Sequence, residues 1–303
     1  MRPRAIVDVG SNSVRCFLPD HVPPIRTATV VGLRRGAAGD GSLTADALGR
    51  FEGCLAEIAD VVTGVAPANR IVFATSAVRD APNKDAASAL VRDYLGTELR
   101  VLSGQTEAQL AFEGAYAGIG GTDNCTVIDP GGGSTELVAG GPDGVIAAVS
   151  LQLGAVRDTD RFGLGDPPTA SALEGLRSHA RNLLTQGVKT VSGGRNHAIA
   201  VIGVAGTITT LAAIKQRRYD ADRIHGTRLT VSDVAMIAGD LARLTIAQRS
   251  RIPGLHPDRA FVILAGAIIV EEALAALGAD HLVVSERDIL DGVAANPTVV
   301  FGQ

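Results

Sequence analysis

Tryptophan is absent from this chain, and only seven Phe and three Tyr stand among its 303 residues. A core with so few rings must be filled by aliphatic side chains. Ala, Val, Leu and Gly are abundant, which favours an α/β protein with Val/Ile-rich strands and Ala/Leu-rich helices. Cysteine is scarce as well. Cys16, Cys54 and Cys125 form no CxxC pair and leave one odd, so no disulfide framework is expected. They read as small core residues in a reducing compartment. Long hydrophobic runs are also lacking: the longest, AFVILAGAIIV (260–270), ends at Glu271-Glu272. That is well under the ~18 residues of a spanning helix and reads as a buried core helix. The apolar run of MRPRAIVDVG stops at Asp8 and is too short for a signal peptide, so a cytoplasmic protein with no membrane partner is expected. Nor is there an excess of positive charge. The net charge of -4 gives no sign of a nucleic-acid partner, whose binding domains are usually basic, although it leaves room for a local basic groove.

What is present is a repeat. RAIVDVGSNSVRCFL (4–18) and CTVIDPGGGSTELVA (125–139) each run from an apolar β-branched stretch through Asp, one residue, Gly and a Ser-containing turn into a second apolar stretch. Asp8 aligns with Asp129, Gly10 with Gly131 and Ser13 with Ser134. The pattern predicts two β-hairpins, one early in each half of a duplicated protein. Around them helices are expected over 44–65, 84–96, 106–119, 169–186, 207–217, 231–244, 259–276 and 287–295. Strands are expected over 70–78, 99–103, 198–206 and 281–285. The alternation implies sheets covered by helices. The Gly-rich connector GIGGTDN (118–124) puts the boundary between domains of 1–118 and 119–303.

Glycines in succession cost conformational entropy, so the backbone itself is needed there. Gly131, Gly132 and Gly133 let N–H groups converge on a phosphate, and Ser134 and Thr135 add hydroxyls. Gly10, Ser11, Asn12 and Ser13 offer the same in the first half. An ordinary hairpin turn with glycine at positive φ is the alternative for either one. Two such hairpins facing across a cleft would hold a polyanion from both sides. Asp8 and Asp129 end their strands there, with Glu136 nearby. A hard cation such as Mg²⁺ takes one or two carboxylates plus phosphate oxygens and waters, although each Asp could instead cap its own turn. Thr75, Ser76 and Arg79 of ATSAVRDAPN (74–83) sit at a strand-to-helix junction with Arg suited to bidentate phosphate contact. Gly206 and Thr207 open a helix, where anions are favoured; Thr207 could equally be that helix's N-cap. Lys215, Arg217 and Arg218, and separately Arg34 and Arg35, could guide a polyanion or be solvated faces. No Walker A loop, HExxH, GxSxG or cysteine-metal spacing is found.

Seven segments in order carry a resemblance over essentially the whole chain: VDVGSNSVR (7–15), ATSAVRDAPN (74–83), SGQTEAQLAFEG (103–114), DPGGGSTELV (129–138), SLQLGAVRDT (150–159), GVAGTITTLAA (203–213) and SERDILDGV (285–293). The chain resembles the exopolyphosphatase/guanosine pentaphosphate phosphohydrolase (Ppx/GppA) family of the acetate kinase–sugar kinase–heat-shock 70–actin superfamily. The resemblance implies an α/β fold of two ribonuclease-H-like domains, each a mixed sheet with flanking helices, with a cleft between them. It implies Mg²⁺-dependent hydrolysis of a terminal phosphoanhydride, of inorganic polyphosphate or of guanosine pentaphosphate. It makes Glu107 the catalytic base, in QTEA where relatives carry EEA, and adds Arg15 to the phosphate-binding residues. Twofold assembly is common in relatives, and nothing in the sequence assigns it. Departures are Pro130 for the usual Ile or Val, Ala205 for the first Gly of a GGT turn, and Phe261 for Asp in RAD. Longer relatives add a helical HD-type domain, and no His-Asp pair for it is found. A kinase or ATPase on the same fold, and a catalytically dead sensor of polyphosphate or alarmone, are the competing classes.

Overall fold

The computed structural model describes residues 3–37, 40–120, 123–193 and 200–301. The expected connector 118–124 includes residues 121 and 122, and the expected strand 198–206 includes 198 and 199; those four lie outside the described residues. The chain divides into two compact units, Met1–Glu107 with Gly292–Gln303, and Ala108–Asp291.

The first unit begins with β1 (Ala5–Val9), β2 (Ser13–Leu18) and β3 (Ile25–Val30), an antiparallel meander. Helix α1 (Ala45–Val61) follows, started by the Thr44 hydroxyl accepting the Ala47 N–H, a Thr N-cap. Its Ala47, Phe51, Leu55 and Ile58, at helical spacing, are buried against the sheet. Then come β4 (Arg70–Ala74), the single turn α2 (Ser76–Arg79), α3 (Lys84–Leu95) ended by left-handed Gly96, and β5 (Leu99–Val101). The sheet order is β3-β2-β1-β4-β5, with β1, β4 and β5 parallel. Helix α4 (Gly104–Ile119) belongs to this unit through Glu107 and to the second unit beyond it.

The second unit repeats the plan. β6 (Cys125–Pro130), β7 (Thr135–Gly141) and β8 (Gly144–Leu151) form the meander, followed by α5 (Ala155–Arg161), α6 (Ala170–Ser192), β9 (Ala200–Gly203), α7 (Ala205–Gln216), α8 (Ala221–Ile224), β10 (Arg228–Thr230), α9 (Val231–Ala242), α10 (Ile246–Arg249), α11 (Ile263–Leu277) and β11 (His281–Val284). The order β10-β11-β9-β6-β7-β8 contains the first unit's sheet, β8-β7-β6-β9-β11, with β10 added at one edge. The duplication seen in two hairpins therefore extends to both whole sheets, which are ribonuclease-H-like. Alternate strand residues face opposite layers. Ile128 and Leu137 join the large cluster under α6, α7, α9 and α11, whereas Val127 and Val138 pack on Ala108, Phe112 and Ala115 of α4. From Ile263 on, the run 260–270 forms the buried helix expected of it, α11. Its acid Glu272 is buried and held by the Arg181 guanidinium of α6 at 3.0 and 3.1 Å. Helix α12 (Ile289–Ala295) carries the chain back to the first unit, which α13 (Thr298–Phe301) completes. No helix of the described residues is long and apolar enough to cross a membrane.

Candidate active site

Each meander turns at the predicted glycine. The ladder pairs Val9 with Val14 and Pro130 with Thr135, so the chain reverses through 10–13 and 131–134. Neither Gly10 nor Gly131 needs a positive φ. A Cβ at Gly10 would lie 3.0 Å from Ser13 O, and one at Gly131 would lie 3.1 Å from Ser134 O. The glycine thus serves a close approach of backbone, not the φ of an ordinary hairpin turn, and it does so identically in both units.

The central carbonyls of each turn are fastened by a neighbouring segment. Gly131 O accepts the Ala155 N–H (3.0 Å), Gly132 O accepts those of Val156 (2.8 Å) and Arg157 (3.0 Å), and Gly133 O accepts Arg157 Nε–H (2.6 Å). In a planar trans peptide the C=O and the following N–H point oppositely. The N–H groups of Gly132, Gly133 and Ser134 therefore face away from α5, and among the described residues none of them has a partner. The first turn is built likewise: Ser11 O accepts the Arg34 N–H (3.0 Å), and Asn12 O accepts those of Val31 (2.9 Å) and Gly32 (2.8 Å). Successive N–H groups on one side form an anion-binding concavity.

In the first unit the turn meets the other predicted residues. Ser11 Oγ lies 3.0 Å from Ser76 Oγ, both buried. Thr75 is tied to the end of β1 through its N–H to Val9 O. Glu107 is brought to the same place by a helix start: Ser103 Oγ accepts the Thr106 N–H (3.1 Å), and the Glu107 N–H reaches Ser103 O (2.9 Å). Its side chain is buried, and Arg79 Nη1 donates to Oε2 at 2.8 Å and to Leu102 O at 3.1 Å. Burial pushes the Glu107 carboxyl up; the Arg79 hydrogen bond and charge pull it down, the Asp8 charge pushes it up again and the Thr75 hydroxyl pulls it down, leaving it at about 7. A carboxylate poised there can take a proton from water at neutral pH.

The strand-end acids differ between units. Asp8 and Arg15 are cross-strand partners, and Arg15 Nε and Nη2 both reach Asp8 Oδ2, at 3.0 and 2.6 Å. At the equivalent register Asp129 faces Glu136, a second carboxylate on the same face, with Ser150 Oγ donating to Glu136 Oε1 at 2.7 Å. Among the described residues no group of three or more His, Cys, Asp or Glu could hold a metal by itself. A hard cation that keeps its waters and shares phosphate oxygens needs only one or two carboxylates, and the Asp129/Glu136 pair fits that donor set.

Thr207 is not the N-cap of its helix. α7 starts at Ala205 with Val204 as N-cap, and the Thr207 hydroxyl donates to Pro130 O at 2.9 Å. That bond also answers the Pro130 departure: the strand keeps its register, and the proline carbonyl is satisfied. Ala205 adopts φ 68, a left-handed conformation natural to glycine. Phe261 packs against the cluster of Ala155, Val156 and Val262. Of the basic residues, Lys215 is committed to Asp233 (2.8 Å) and Arg228 O (3.0 Å). Sequence reasoning missed the task of Arg157, although it lies in the SLQLGAVRDT segment. It also missed Arg259, whose guanidinium lies where a Cβ of Gly206 would be.

Comparisons with known proteins agree with this architecture. The model of the Ppx/GppA phosphatase family matches residues 21–296. Exopolyphosphatase 2 of Mycobacterium tuberculosis is 36% identical over 311 residues, covering 96% of this chain and 97% of that protein. The crystal structure of an exopolyphosphatase-like protein has 30% identity and a TM-score of 0.90, covering 97% of this chain and 98% of that one. The Aquifex aeolicus Ppx/GppA family member has 26% identity and a TM-score of 0.77, covering 100% of this chain and 99% of that one.

Proposed function

Because this chain belongs to the Ppx/GppA phosphatase family, we propose that it is an exopolyphosphatase, hydrolysing the terminal phosphoanhydride bond of inorganic polyphosphate. The observation that carries the mechanism is Glu107: buried, held by Arg79, close to neutral in its pKa, and joined through Thr75 and Ser76 to a phosphate-type turn. The full-length similarity to Exopolyphosphatase 2 supports polyphosphate as the substrate.

Glu107 takes a proton from water as the water oxygen attacks the terminal phosphorus. The bond to the bridging oxygen breaks, releasing orthophosphate and a chain one unit shorter. Catalysis is then mostly positioning and charge stabilisation. In the first unit the N–H groups and hydroxyls of Ser11, Asn12 and Ser13, with Thr75 and Ser76, are the donors offered to non-bridging phosphate oxygens. In the second they are the N–H groups of Gly132, Gly133 and Ser134, with the helix-start backbone of Gly206 and Thr207, since the Thr135 and Thr207 hydroxyls are given to Leu153 O and Pro130 O. Arg79 holds the base. In the second unit Asp129 and Glu136 would hold Mg²⁺; in the first, Arg15 orients Asp8. When bound, Mg²⁺ neutralises phosphate charge.

The test is phosphate release from long-chain polyphosphate and from guanosine pentaphosphate, side by side, with Mg²⁺ and with EDTA. Release from polyphosphate that EDTA abolishes is expected. Release from the nucleotide alone would replace this substrate by the alarmone, and binding of either without turnover would make the protein a sensor.

A further inference from the structure

The reaction proposed above gives no direct task to Asp158, a fully buried carboxylate in the short helix α5. Its helix also carries Ala155 and Val156, which pack on Val262. Its Oδ1 finds no hydrogen-bond partner among the described residues, and His179 Nε2 stands 3.6 Å off. Burial raises its pKa against the pull of the Gly154 N–H and of His179, Arg161 and Arg157. A carboxylate kept in such a place costs stability, so what it holds is informative.

It holds Gly154. Oδ2 accepts the Gly154 N–H at 2.7 Å, and the Asp158 N–H returns to Gly154 O at 2.9 Å. Gly154 has no side chain to restrict its backbone, and none is allowed: a Cβ there would be 2.5 Å from Gly132 O and from Gly133 C. The three N–H groups that follow, from Ala155, Val156 and Arg157, are those that fasten the carbonyls of Gly131 and Gly132. The seat of the turn is thus a stretch of backbone whose first residue is fixed by a side chain four positions later.

We propose that Asp158 is a positioning residue for the turn Gly131–Ser134: by clamping Gly154 it seats the turn's carbonyls and so aims the N–H groups of Gly132, Gly133 and Ser134 at a phosphate. This rests on the reading of that turn as a phosphate cradle. The acceptor oxygen, not the negative charge, is what the task needs.

The variants Asp158→Ala and Asp158→Leu remove the acceptor, the second without leaving a hole. Asp158→Asn keeps an acceptor oxygen and removes the charge. With tripolyphosphate as the binding probe and polyphosphate as the substrate, the Ala or Leu variant is expected to lose affinity and raise KM by up to about 100-fold, the scale of a small misplacement at a reacting centre. The Asn variant should stay close to the unsubstituted chain. Unchanged binding in Ala or Leu, or loss in Asn equal to theirs, would overturn the inference. If the unsubstituted chain neither binds tripolyphosphate nor cleaves polyphosphate, the function proposed above fails instead. The clamp is then judged on the amide resonances of Gly132 and Gly133: displacement in Ala or Leu but not Asn supports it, and resonances that move alike in all or in none contradict it.

Discussion

Arg79 Nη1 lies 2.8 Å from Glu107 Oε2 while the same nitrogen donates to Leu102 O at 3.1 Å. The guanidinium is thereby committed to the base and to the loop that precedes α4. Its hydrogen bond and charge are the main influences holding the Glu107 carboxyl down against burial.

Replacing Arg79 by Gln should therefore raise the Glu107 pKa further. The acid limb of the pH–rate profile moves to higher pH, and kcat/KM at pH 7 falls because less of the carboxylate is ionised. A profile that keeps its midpoint would remove Arg79 from this role.

Glu107 should also leave a mark on stability. Its pKa is about 7 in the folded chain against an ordinary 4.5. Between these values the folded state holds a proton that the unfolded state has released, so stability falls as pH rises through the window and levels off above it. The full effect is about 3 kcal/mol at the usual exchange of about 1.4 kcal/mol per unit. Urea denaturation from pH 4.5 to 7.5 should show this decline for the unsubstituted chain relative to Glu107→Gln; parallel curves would contradict it.

Ala205 carries φ 68 at the start of α7. An L-residue there costs roughly 1–2 kcal/mol that glycine does not. Ala205→Gly is expected to stabilise the chain by about 1 kcal/mol, read as a higher denaturation midpoint. A lower midpoint would mean that the left-handed conformation is not strained.

Gly154→Ala tests the seat of the second turn. The added Cβ meets backbone at 2.5 Å, so something must shift, at about 1–3 kcal/mol for overpacking. Loss of stability together with weaker tripolyphosphate binding is expected. Equal binding at reduced stability would separate the seat from the turn's function.

The sequence shows some of this arrangement and hides the rest for physical reasons. The two hairpins were legible because a strand, an acid, a glycine and a serine recur in one order, and register follows from the turn. The helices over 44–65 and 84–96 were legible from apolar spacing, and that over 259–276 from its apolar run, although it starts only at Ile263. Strand β3 was not: IRTATV follows Pro23-Pro24 and is mostly exposed or half-buried, so it has no apolar stripe. Strand β10 is three residues long. Glu107 came from family resemblance, since a lone acid in a first helical turn looks like a solvated one. Its partner Arg79 lies 28 positions away, and the pairing is made by β4 and β5 lying side by side. Asp158 drew no reading of its own, because nothing in AVRDTD announces that its carboxylate turns back to Gly154.

The most direct test of the central claim is the pH dependence of kcat/KM for polyphosphate in the unsubstituted chain and in Glu107→Gln. The account predicts that the unsubstituted rate falls below about pH 7, following the Glu107 carboxyl. The variant should lose about 10²–10⁴ of the rate, the usual worth of a general base, together with that limb. A variant that keeps the rate, or keeps the limb, would show that another group takes the proton.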